Sequence, residues 1–166
     1  MQPDISRERQ PLLRLVDPPP RPSRSTLRGR RSHPSSRIRI DGSLLYIGGD
    51  PESRIPFTRV ARRWQSVNLV VAPDGRAGVQ LATRRRPRLV VLDADLPDID
   101  GADMTTHLRL RVLPHDTPIV VLAHDADPRV RARFVWAGAG AYIVKPLDVA
   151  ELDRAVMALM EVAAQR

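Results

Sequence analysis

The feature that most limits what this chain can fold into is a set of five short apolar runs, at residues 44–47, 67–72, 89–92, 119–123 and 141–144. Apart from Asn68 in the second, each is apolar at consecutive positions, which is how parallel strands read when both faces of the sheet are covered. Between the runs lie stretches with the period of a helix. In residues 53–65, Phe57, Val60, Ala61 and Trp64 fall at i, i+3, i+4 and i+7 and share one face. Helix starts are legible as well. Asp127 before Pro128 reads as an N-cap with proline at the first helical position, and Asp148 with Glu151 three residues on opens the last helix in the manner of a capping box.

Five strand and helix units in alternation predict an α/β fold, a (βα)5 doubly wound parallel sheet of the flavodoxin-like kind with strand order 2-1-3-4-5. Sites on such sheets lie at the carboxyl ends of the strands, so function is expected in the loops that follow them. The division predicted is a domain over residues 43–163, a short tail at 164–166, and an N-terminal arm at 1–42. The last helix is expected to end a few residues before Arg166, with no DNA-binding output domain after it.

The arm holds seven prolines, many serines and almost no apolar periodicity, so it is expected to be disordered. Residues 1–41 carry ten arginines against four acidic residues, so most of the net charge of +8 lies there. A basic arm of this kind suits phosphate backbones or an acidic partner surface; a solvated tail or a start assigned too far upstream are its bland explanations. The chain has no cysteine, which excludes disulfides, thiolate zinc sites and cysteine nucleophiles. It has neither a long apolar run nor a secretory leader pattern, so no membrane association and a cytoplasmic location are expected.

The third run ends in "LDADLPDIDG", with Asp93 as the strand's last residue, and the fifth ends in "AYIVKP", with Lys145 at the same edge. Lys145 is the single lysine among 27 basic residues. An Asp and a Lys at strand ends on one edge of the sheet fit a structural ion pair and a reactive centre equally well. "LDADLPDIDG" and "GAGAYIVKP" at this separation resemble the response-regulator receiver domain of two-component signalling, and the first strand is similar to receivers that open "LLYIEDNP". The resemblance spans residues 43–163. It implies that Asp93 is the phosphoacceptor, Lys145 the phosphoryl-binding lysine, and Tyr142 the aromatic that reports the switch. It also implies a histidine kinase or phosphotransfer protein as partner, a downstream protein target met through helix 4 and helix 5, and a homodimer among the assemblies to consider.

The departures from that pattern are equally specific. Receivers carry an acidic pair after strand 1, and here those positions are Gly48 and Gly49, in "LLYIGGDPESR". Magnesium prefers hard oxygen donors in a near-octahedral shell. Its remaining ligands would be Asp93 and the backbone carbonyl of Asp95, with Asp50, one residue late and out of register, as a further candidate; magnesium binding is therefore expected to be weak. Glutamate at 48 with aspartate at 49 is expected to restore it. Ala123 stands at the switch Ser/Thr position and removes a hydroxyl, and His124 follows it, as a phosphoryl contact or a solvent-facing loop residue. Asp98, Asp100 and Asp103 read as turn and cap residues. On the fourth helix Val130, Phe134 and Ala137 face inward, leaving Arg129, Arg133 and Trp136 as an outer partner face or as an arginine stacked on an indole.

The reading is of a stand-alone receiver that acts through protein contacts rather than as an enzyme on a substrate. Phosphorylation at Asp93 competes with a phosphorylation-independent pseudo-receiver that binds partners whatever its phosphate state. From another class comes a nucleic-acid-associated protein using the basic arm. A flavin-binding protein is disfavoured because no glycine-rich phosphate loop opens a helix after strand 1.

Overall fold

The computed structural model describes residues 39 to 165. Its strands are β1 (Arg39–Ile47), β2 (Gln65–Ala72), β3 (Leu89–Asp93), β4 (Ile119–Ala123) and β5 (Ala141–Val144). Its helices are α1 (Pro51–Ala61), α2 (Gly75–Arg85), α3 (Gly101–His107), α4 (Pro128–Trp136) and α5 (Val149–Ala164). The strands pair in parallel in the order β2-β1-β3-β4-β5, the doubly wound topology that the alternating pattern predicts.

Because side chains alternate across a strand, each apolar run supplies both faces of the sheet. Leu44, Tyr46, Leu89, Val91, Val120, Leu122 and Ile143 pack toward Phe57 and Val60 of α1 and Leu152 and Val156 of α5. Leu45, Ile47, Val90, Leu92, Ile119, Val121 and Tyr142 pack toward Ala82 of α2, Met104 of α3 and Phe134 of α4. Each large side chain withdrawn from water in this way contributes about 1.5 to 3 kcal/mol before entropy is counted. Within the first layer the Tyr46 and Phe57 rings stack with centroids 5.0 Å apart and planes 19° from parallel.

Several boundaries differ from the sequence pattern. β1 starts at Arg39, so residues 39–42, assigned to the arm, belong to the sheet; the arm's remaining residues, 1–38, lie outside the described residues. Gly42 stands where the pairing with β2 shifts register, at a φ of 139° that side-chain-bearing residues rarely adopt. α1 ends at Ala61, before Trp64. Trp64 stays buried because the chain turns it inward, and its indole Nε1 donates to Asp153 Oδ1 of α5 at 2.8 Å. α3 continues into a π-helical stretch, Leu108–Val112, that no pattern announced. There Arg109 donates to the carbonyls of His115, Thr117 and Gly138 at 3.0, 2.9 and 3.0 Å and ties two loops together.

Helix starts follow the expected chemistry. Asp127 caps α4 by accepting from the Arg129 N–H, and Asp148 caps α5 by accepting from those of Ala150 and Glu151. Among the described residues no helix is long and apolar enough to cross a membrane.

Candidate functional site

Strand parity decides which side chains meet at the carboxyl edge. Tyr46 lies opposite Val91 and Ile47 opposite Leu92 in the β1–β3 ladder, so Asp93 emerges beside Gly48 on the same face as Tyr46. Lys145 follows Ile143 by two residues and shares that face. The outcome is a buried three-residue cluster at the carboxyl edge of the sheet, its Lys145 also lining a small pocket with Ser53 and His124. The Lys145 ammonium lies 2.7 Å from Asp93 Oδ1, without the alignment of a hydrogen bond. The Tyr46 hydroxyl donates to Asp93 Oδ2 at 2.5 Å. Asp93 is fully buried and the Lys145 side chain is 7% exposed, so the pair is shielded from water.

A buried carboxylate is costly unless its charge is matched and its oxygens are engaged. Lys145 matches the charge and Tyr46 supplies a charge-assisted hydrogen bond. Burial first, and then the hydrogen bond and charge of Asp93, push the Tyr46 phenol well above the ordinary tyrosine range, so it remains a donor. Sequence reasoning brought Asp93 and Lys145 together and missed Tyr46. The signal was present: Tyr46 precedes Gly48 by two residues, and a period of two places it on the face of Asp93.

Asp50 serves another purpose. Its side chain accepts from the Glu52 N–H at 3.0 Å and the Ser53 hydroxyl at 2.7 Å, which makes it the N-cap of α1. The Ser53 hydroxyl and the Glu52 N–H hold its carboxyl below the usual range, and Lys145 approaches only to 4.0 Å. Asp95 is exposed and forms an isolated bridge with Asp100. Asp98 accepts from the backbone N–H groups of Gly75 and Arg76 and holds the start of α2, its carboxyl lowered by those two bonds. Asp100 caps α3 and is gripped by Arg133 at 3.0 and 2.7 Å.

Arg133 is exposed, as are Arg129 and Trp136, the last to 86%, and its guanidinium fork pairs with Asp100, joining α4 to α3. At the switch positions, Ala123 is buried and carries no hydroxyl, and its carbonyl accepts from the Lys145 N–H at 2.8 Å. Tyr142 is turned inward against Phe134, and its hydroxyl donates to the Asp125 carbonyl at 2.7 Å, pinning the loop after β4. His124 is exposed beside Lys145 and Ser53 at the pocket mouth.

The donors left for a divalent cation do not fit one. Gly48 and Gly49 offer no side-chain oxygen, Asp50 is occupied as a cap, and Asp93 Oδ2 already accepts from Tyr46. Among the described residues no group of three or more His, Cys, Asp or Glu side chains could hold a metal ion. The expected repair at position 48 also meets an obstacle. A Cβ built on Gly48 would overlap Asp93 Oδ2 and lie 2.9 Å from Cγ, so a glutamate there requires the carboxylate to turn away.

A doubly wound five-stranded sheet with an aspartate ending β3 and a lysine directly after β5 is the arrangement the receiver resemblance leads one to expect. The response regulator receiver domain family matches residues 45–157, and the chain belongs to it. The transcriptional regulatory protein PrrA of Mycobacterium tuberculosis is 36% identical over 98 residues, 59% of this chain and 41% of PrrA. The probable transcriptional regulatory protein TcrX of the same organism is 32% identical over 125 residues, 74% of this chain and 52% of TcrX. The chain thus spans about half the length, or less, of these relatives. Among solved structures, a putative response regulator from Chloroflexus aurantiacus superposes with a TM-score of 0.67 at 25% identity, covering 72% of this chain and 98% of that one. The receiver domain of sensor histidine kinase PA1611 from Pseudomonas aeruginosa, solved with magnesium coordinated in its active-site cleft, gives a TM-score of 0.64 at 25% identity, covering 72% of this chain and 98% of that one.

Proposed function

We propose that this receiver works in two-component signalling through protein contacts that do not depend on phosphate at Asp93. Its partners are a histidine kinase or phosphotransfer protein on the input side and a protein target met by α4 and α5. The observation that carries this reading is the state of Asp93: a fully buried carboxylate whose Oδ1 is ion-paired with Lys145 and whose Oδ2 accepts from Tyr46, beside two glycines where a metal-binding receiver has acids. Phosphoryl transfer to a carboxylate relies on cations that collect charge on the equatorial oxygens, and Lys145 alone supplies one.

The test is incubation with acetyl phosphate and magnesium, followed by intact-mass measurement, alongside partner binding by native protein and Asp93→Asn. Labelling slower by about a hundredfold than in a receiver with its acidic pair, the typical effect of one missing electrostatic contact, is expected. Partner affinity should not change in Asp93→Asn.

A second reading, Asp93 as an active phosphoacceptor with weakly held magnesium, is favoured by the 2.7 Å approach of Lys145 to Asp93, the pair that the family uses. Fast labelling that Asp93→Asn abolishes would establish it in place of the first. The nucleic-acid reading depends on the arm, whose residues 1–38 lie outside the described residues. Deletion of the arm, with binding followed against salt, tests it.

A further inference from the structure

We infer that Tyr46, admitted to Asp93 by the missing side chain at Gly48, is the positioning residue of the pocket and occupies with its hydroxyl the role that a metal ion has at this edge. The inference rests on reading the pocket as one without a resident cation, and it assigns that change to a pair of residues on one strand.

Three observations converge on it. First, the hydroxyl is committed to Asp93: Tyr46 is fully buried, its ring is fixed by the stack on Phe57, and it donates to Asp93 Oδ2, with the Ser53 hydroxyl as a second polar neighbour. A buried phenol requires an acceptor, and a carboxylate oxygen is the strongest one available. Second, Gly48 is not demanded by its backbone. Its φ lies outside the left-handed region in which Gly42 and Gly138 are found, so conformational freedom does not explain it. Space does. A Cβ at 48 would lie against Oδ2, Cγ and Cβ of Asp93 together, so the carboxylate holds its present position only while residue 48 is glycine.

Third, the buried pair is neutral without a metal. Asp93 brings one negative charge, Lys145 brings one positive charge at 2.7 Å, and Tyr46 brings a neutral donor to the other oxygen, while the second carboxylate nearby, Asp50, is partly exposed, 4.0 Å from Lys145 and held as the α1 cap. An acidic pair added to this cluster would leave surplus negative charge in a buried site and call for a divalent cation. Without the pair, a cation would have to displace the phenol from Asp93 and forfeit a charge-assisted hydrogen bond. Gly48 and Tyr46 therefore act together: the glycine makes room, and the tyrosine fills the coordination that has been vacated.

A double-mutant cycle tests this directly. Tyr46→Phe keeps the ring and its stack on Phe57 and removes only the hydroxyl. In the native background it should shift the unfolding equilibrium in urea by roughly tenfold to a hundredfold, the range for a hydrogen bond to a charged group. In an Asp93→Ala background the same change should shift it less than about threefold. Proton NMR gives a signature that a packing role would not produce: a downfield, slowly exchanging Tyr46 hydroxyl signal, present in native protein and lost in Asp93→Ala. Equal costs in the two backgrounds, or a hydroxyl signal that survives Asp93→Ala, would overturn the inference.

Magnesium titration of the full chain supplies an independent arm. Gly49→Asp, which keeps Gly48 and with it the Tyr46–Asp93 contact, should bind magnesium poorly, and adding Tyr46→Phe should tighten binding by about tenfold or more. No gain from Tyr46→Phe in that background counts against the inference. Labelling by acetyl phosphate remains the test of the phosphate-independent reading. A native protein that labels quickly and yet shows the Tyr46–Asp93 coupling would sink that reading and leave the role of Tyr46 standing.

Discussion

The carboxyl edge of the sheet has two halves that are built differently. On β3 and β5, Asp93 and Lys145 stand as the receiver pattern leads one to expect, 2.7 Å apart and shielded from water. On β1 the acids are replaced by Gly48 and Gly49, and the nearest carboxylate, Asp50, caps a helix. The second half is nevertheless not empty of chemistry. A tyrosine two residues upstream reaches over the missing side chain and takes the free oxygen of Asp93. A buried charge has to be satisfied by whatever the fold places near it, so removing one set of partners leaves room for another.

The comparison breaks most severely at Lys145. Lys145→Met leaves Asp93 buried with a single neutral donor, which should cost about 3 to 5 kcal/mol in urea unfolding. Adding Asp93→Asn should recover most of that loss, since the buried charge is then gone. Persistence of the full loss in the double variant would mean that Lys145 acts through packing instead.

Gly48→Ala comes next. Its methyl would displace the carboxylate from both partners, for an expected loss of about 1 to 3 kcal/mol. Asp50→Ala should cost about 1 kcal/mol, as for other lost N-caps, without altering magnesium affinity. Asp50 has a folded pKa below its unfolded value, so its contribution is present above the ordinary carboxylate range and is lost as the pH falls through the folded pKa. Native and Asp50→Ala stabilities should accordingly converge in acid. A constant gap down to low pH would deny Asp50 the charged cap.

The smallest effect is expected at the neighbouring glycine. A Cβ on Gly49 would meet only the Pro73 carbonyl oxygen, at 3.0 Å. Gly49→Ala also restricts the unfolded chain, and the two contributions should nearly cancel to a net change under about 1 kcal/mol. Similar losses at positions 48 and 49 would remove the basis for treating Gly48 as the partner of Tyr46.

The architecture was open to reading because it depends on local pattern. Consecutive apolar residues such as 119–123 can be covered on both faces only between two layers of helices, and Asp127 and Asp148 mark helix starts by the geometry of their own side chains. The positions of Asp93 and Lys145 were readable for the same reason, since a residue that ends a strand or directly follows it lies at the sheet edge wherever the strand ends. The partner of Arg133 was not legible because helical spacing says which residues share a face but not which neighbouring element that face meets. Here it meets the α3 cap, Asp100.

By itself the sequence determined the five-stranded order, the helix starts and the aspartate and lysine at the edge, all of which follow from periodicity and side-chain type. Only the tertiary structure decided what the two glycines mean. Read along the chain they are absences, and Tyr46 is one apolar residue of a strand. The pleat, the β1–β3 register and the stack on Phe57 bring the phenol to the oxygen that Gly48 leaves clear, and that meeting depends on distances between strands, which no one-dimensional pattern contains.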